Sequence, residues 1–135
     1  MNELTRRCLA LPFHDRQKLL NVLKKSLDER EVDGSRFAII YKAATEVVGN
    51  GILSKSKDFN LVMGRRMIAY QMRTEGYSLV SIGKKLNRHH ASVIHMCKMM
   101  EDVLKYQFDL EMGYWILFQR KLKEYDIHSR TTQGS

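Results

Sequence analysis

The sequence predicts an all-α fold, and three observations lead to it. The only proline, Pro12, lies near the start, so no later residue breaks a helix by lacking its N–H. Eight glycines and one proline are too few for the closely spaced turns of an all-β domain. Between the breakers that exist, apolar residues recur at helical spacing rather than alternating. With 135 residues and 44% hydrophobic content, the chain can build one cored domain with short helical attachments.

The elements follow in order. Residues 1–33 form an N-terminal helical extension, in which a helix over 14–31 starts at an Asp15 cap and carries Leu19, Leu20, Leu23 and Leu27. Asp33-Gly34-Ser35 breaks it and supplies the next cap. A second helix runs from Ser35 through Phe37, Ile40, Ala44, Val47 and Val48 and stops at Gly49-Asn50-Gly51. The polar stretch Ser54 to Asp58 precedes a third helix with Leu61, Met63, Met67, Ile68 and Met72 on its apolar side, ended by Gly76. Ser78 then caps a short helix with Leu79, Ile82 and Leu86. Asn87-Arg88-His89 makes a tight polar turn, and a longer helix begins near His90 with Val93, Ile94, Cys97 and Met100 inward.

Two turns of helix, a tight turn and a second helix make a helix-turn-helix pattern, expected within a domain over 34–105. Ser92 should be half exposed and Val93 buried, leaving the first turn of the second helix open to a groove. A C-terminal helix over 106–127 should pack on this domain through Phe108, Trp115, Ile116, Phe118 and Leu122, ending near Tyr125 and weakened at Gly113. The tail 128–135 reads as disordered.

Charge singles out the same domain. Residues 1–33 carry seven Lys/Arg against six Asp/Glu, 34–105 twelve against five, and 106–135 four against four, so +7 of the net +8 falls in the middle. A polyanionic partner suits that distribution. No apolar run approaches the roughly 20 residues of a membrane span, so no membrane is expected. Cys8 and Cys97 show no secreted disulfide framework, and the chain reads as cytoplasmic with reduced thiols.

Candidate chemistry is sparse. Gly49 to Ser56 approaches a phosphate-binding loop but has Ser54 where the second glycine belongs, and a helix rather than a strand leads in. His89, His90, His95 and Cys97 lack the spacing of a metal set. No nucleophile–base–acid set stands out, so no enzyme, cofactor or metal is expected. Eight methionines suit core filling better than an adaptable partner surface.

Three segments resemble one family, the C-terminal DNA-binding domain (domain IV) of the bacterial replication initiator DnaA, a Trp-repressor-like helix-turn-helix. Ile52-Leu53-Ser54-Lys55-Ser56-Lys57 is similar to its leader, Arg65-Arg66-Met67-Ile68-Ala69-Tyr70 to its long helix, and Ser78 through His95 to its helix-turn-helix. The resemblance covers about residues 35–105. It implies that Arg65 enters a minor groove, that Lys84, Lys85 and Arg88 touch phosphates around the turn, and that His90 reads a base. It further implies DNA contact by Ser92, and backbone contacts by Ser54, Lys55 and Lys57 beside the leader.

Two positions depart from the family. His89 stands where it has an acidic residue, and Ala91 where it has a threonine. A histidine donates to guanine or phosphate, and the Ala91 methyl can touch a thymine methyl, so both stay in the candidate interface while the target sequence shifts.

The resulting expectation is sequence-specific binding of double-stranded DNA by a stand-alone module, in replication initiation or its regulation, without ATPase activity. The alternatives are a transcriptional regulator of the same fold, or a protein-interaction module that has lost DNA. The N- or C-terminal helix could then serve a homodimer or a protein partner. RNA is disfavoured because no sheet platform of aromatics is expected.

Overall fold

The computed structural model describes residues 31–134, with the backbone alone from 129 onward. The expected helix over 14–31 and its extension lie outside the described residues. Five helices follow one another: α1 (Gly34–Val48), α2 (Phe59–Thr74), α3 (Leu79–Leu86), α4 (His90–Tyr106) and α5 (Asp109–Gly134), with no strand among the described residues. The all-α expectation holds.

Local chemistry explains most helix ends. Asp33 caps α1, its carboxylate accepting the Ser35 N–H at 2.9 Å. Gly49, at φ 93°, ends that helix and donates to the Thr45 carbonyl at 2.8 Å, a conformation open to glycine and costly for other residues. The Ser78 hydroxyl accepts the Ser81 N–H at 3.1 Å and caps α3. Asn87 and Gln107 adopt the left-handed region at the ends of α3 and α4.

The C-terminal part departs from expectation. Instead of ending near Tyr125 and leaving a disordered tail from 128, α5 runs 26 residues to Gly134. The polar composition of 128–134 suggested disorder, but a helix already anchored by packing extends at little cost through residues that contain no internal breaker. Phe108, Ile116 and Ile94, all assigned to the interior, are exposed.

The core gathers around α2. It buries Leu61, Met63, Met67, Ile68, Ala69, Tyr70 and Met72, because neighbours pack on nearly every side of it. Met63, Met67, Met72 and Met100 have no exposed surface, so these methionines fill space. From α5, Phe118 and Leu122 close the core, and Trp115 meets the Tyr70 ring edge-on at 5.6 Å. Arg36 of α1 binds Glu75 at the end of α2 at 2.7 Å and also Asp126 of α5, tying three helices together. Burial and these carboxylates act oppositely on its guanidinium; the Glu75 bond dominates and holds the proton more firmly than usual.

Two glycines predict opposite mutational outcomes. A Cβ on Gly64 would come within 2.8 Å of Val48 and 3.1 Å of Ile52, where α1 and the following loop cross α2 closely. Gly64→Ala is expected to lower stability by about 1–3 kcal/mol through overpacking. A Cβ on Gly113 would meet no other part of the described structure within 4 Å, and Gly113→Ala is expected to raise stability by about 0.5–1 kcal/mol through helix propensity. Urea denaturation of the two variants beside the parent checks both.

Candidate nucleic-acid interface

The turn between α3 and α4 is built on one close approach. The Arg88 N–H donates to the Gly83 carbonyl at 2.8 Å, and a Cβ on Gly83 would lie 2.5 Å from the Arg88 carbonyl oxygen. Glycine at 83 and left-handed Asn87 therefore let the chain reverse tightly enough for Val93 to be buried against α3. On the other side of α4, His89, His90, Ala91 and Ser92 are all exposed. Ser92 is more open than expected; Val93 is buried as expected.

His89 caps α4. Its Nδ1 accepts the Ala91 N–H at 3.2 Å, so in the neutral ring the proton sits on Nε2. An acidic residue and a histidine can thus both satisfy this helix end, and the histidine adds an outward donor. The His90 ring lies 4.2 Å from the His89 ring.

The leader, residues 51–58, is held against this turn by two arginines. Buried Ile52 anchors its start. Arg65 donates from Nε to the Ile52 carbonyl at 2.7 Å, and from Nη2 to those of Ser54 and Ser56 at 2.8 and 2.6 Å. Arg88 reaches across from the turn to the same Ser54 carbonyl. The leader and the helix-turn-helix are joined through that oxygen.

This arrangement changes the role expected for Arg65. At 6% exposed, it is turned into the protein and occupied by backbone carbonyls rather than extended towards a groove. Desolvation and the nearby Arg88 both push its pKa down, in the absence of a carboxylate partner for its bonds, although a guanidinium remains charged. Ser54, Lys55 and Lys57 are exposed on the outer surface of the leader.

An open cleft of about 550 Å³ runs between α2 and α4, lined by Lys57, Arg65, Arg66, Arg88, Ser92 and His95 among others. Arg66 and His95 were missing from the sequence-derived set. Ala91 and His95 are one turn apart, so the exposure of one on α4 implied the other. Of two adjacent arginines on a helix, only one can turn inward to the leader, which leaves Arg66 for the cleft. Burial lowers the Arg66 pKa, and Glu111 partly offsets that. Lys84 sits with Arg88, His89 and His90 around a second hollow. Lys85 does not join them: its ammonium lies 5.9 Å from the Phe37 ring centroid, beside α1.

Among the described residues no group of three His, Cys, Asp or Glu could hold a metal ion, and no helix is long and apolar enough to cross a membrane. Cys97 is half-buried, and desolvation pushes its thiol up to about 12. A thiol raised above its ordinary value stays protonated at neutral pH, and only the thiolate reacts. Alkylation of Cys97 in the native chain at pH 8 is expected to be over about tenfold slower than in the urea-unfolded chain. Peptide mapping after timed iodoacetamide exposure checks it.

No protein-family model matches the sequence, no curated protein matches it, and no solved structure matches it.

Proposed function

We propose that this chain binds double-stranded DNA by setting the first turn of α4 into a major groove, with the leader alongside on the phosphates. One observation carries the reading. The exposed start of α4 stands beside a continuous basic surface of Lys55, Lys57, Arg66, Lys84 and Arg88, and among the described residues no Asp or Glu lines the clefts there. A helix N-terminus flanked by cations favours a polyanion electrostatically. In this reading His90, Ala91 and Ser92 face base edges, His89 caps the helix and offers its Nε2–H, and Lys55 and Lys57 take the outer contacts that Arg65 does not make. Lys85 is left out. The resemblance to the DnaA domain adds replication initiation or its regulation as the process, without ATPase activity; a transcriptional regulator would use the same surface.

The test is anisotropy of the full chain on a random duplex pool across a salt series. With about five cations on phosphates, the logarithm of the binding constant should fall with that of salt at a slope near −4 to −5. Lys57→Ala should reduce the slope by about 1 and weaken all sequences alike. Duplex binding that is absent, or indifferent to salt, overturns the reading.

A further inference from the structure

Three hollows surround the start of α4, and each is lined by histidine together with Arg88. His95 lines the cleft against α2, with Lys57 and Arg66. His90 lines the hollow against α3, with Lys84 and His89. His89 also lines a hollow between the leader and the turn, with Lys55 and Lys57. All three histidines are exposed. Histidine is the side chain whose charge ordinarily changes between pH 5 and 8, so this surface combines fixed with variable positive charge.

The acidic residues on the elements around α4 are few. They are Asp58 before α2, Glu111 of α5, which acts on Arg66, and Glu101 and Asp102 of α4 itself. Glu101 acts on Cys97, and Asp102 lies about 10 Å along the helix axis beyond His95. The short helix α3 has no acidic residue. Among the described residues none of these carboxylates lines a hollow, so none is offered there as the partner of an imidazolium. A bound duplex supplies the missing anions. Phosphates would stand over the same lysines and arginines, and an anion within about 4–6 Å favours a charged ring.

His89 stands apart from the other two. Its Nδ1 accepts the Ala91 N–H and caps α4. An imidazolium carries a proton on each nitrogen and cannot accept that bond, so this ring caps only while neutral.

We propose that His90 and His95 meet the duplex as imidazolium ions, so that binding takes up protons. The inference rests on the DNA reading above and adds that pH sets the strength of binding. Because the bound state holds more protons than the free chain, affinity falls as pH rises.

Calorimetry of the full chain with the random duplex pool at pH 7, in buffers of different ionisation enthalpy, counts the protons. About one proton taken up per bound chain is expected. His90→Gln and His95→Gln should each lower the count by about half, and the double variant should abolish it. The lysines and arginines keep their phosphate contacts in these variants, so binding stays measurable. His89→Asn retains a capping oxygen without a titrating ring, and should leave the count unchanged whatever it does to affinity. In the salt series the slope should steepen by about 1–2 from pH 8 to pH 6, at roughly 0.9 for each added phosphate contact. Salt-dependent binding without proton uptake overturns this inference and leaves the DNA reading standing. Uptake that survives the double variant, or vanishes with His89→Asn, overturns it as well. Absence of duplex binding at both pH 8 and pH 6 overturns the DNA reading and this inference together.

Discussion

Arg65→Ala is expected to lower stability by about 2–4 kcal/mol, the largest single loss among the substitutions considered. Its guanidinium holds three carbonyls of the leader, those of Ile52, Ser54 and Ser56. A hydrogen bond from a charged group is worth about 1.5–3 kcal/mol, and buried acceptors left without a donor add their own cost; solvent reaching the leader after the change reduces the sum. Arg65→Lys keeps the charge but cannot reproduce the forked geometry, so it should fall between parent and alanine. Urea denaturation ranks the three chains.

The same substitutions separate the two roles considered for Arg65. If it positions the leader, loss of DNA affinity should track loss of stability and should be shared by all duplex sequences, because Lys55 and Lys57 lose their fixed places. If it reads a minor groove, Arg65→Ala should leave stability near that of the parent and weaken A·T-rich sites most. The second outcome would mean that the inward geometry is not the one that meets DNA.

The adjacent histidines should behave differently from one another. His90→Ala is expected to cost about 1–3 kcal/mol in binding to a preferred duplex and to relax the preference at one base pair, with little change in stability. His89→Ala removes the acceptor for the Ala91 N–H and is expected to cost about 0.5–2 kcal/mol in stability, as lost caps do. Competition between a selected duplex and the random pool measures the first, and thermal denaturation the second. Equal effects on both assays for both variants would remove the division of labour between them.

Helix boundaries were legible where a boundary is a local event. Asp33, Ser78 and Gly49 act on backbone groups within a few residues of themselves, so residue type and position suffice to read them. Asn87-Arg88-His89 belongs with these as a turn, whereas the need for glycine at 83 and the left-handed backbone at Asn87 come from the close approach before α4 that only the folded chain shows. The end of α5 was not legible. Helix propensity in 128–134 is unremarkable, and an anchor further back, Phe118 with Leu122 in the core, is what lets the helix carry on.

The candidate site divides in the same way. Its place in the chain, the basic excess and the exposed start of α4 follow from spacing and charge. Which cations are free does not follow, because it depends on contacts between segments far apart in sequence. Arg65 points inward since the leader's carbonyls need donors once the loop folds over α2. Lys85 lies beside α1, whereas Lys84, one residue earlier, shares a hollow with His90. By itself, then, the sequence determined an all-α chain, the caps of α1 and α3, the turn before α4 and the segment that carries the charge. Only the tertiary structure decided that Arg65 and Arg88 bind the leader to that turn, that Arg66 and His95 line the cleft, and that Phe118 and Leu122 of α5 enter the core while Ile116 and Leu117 stay exposed. The physical reason is that caps and turns satisfy neighbouring backbone groups, while side-chain direction is set by whichever distant groups pack nearby.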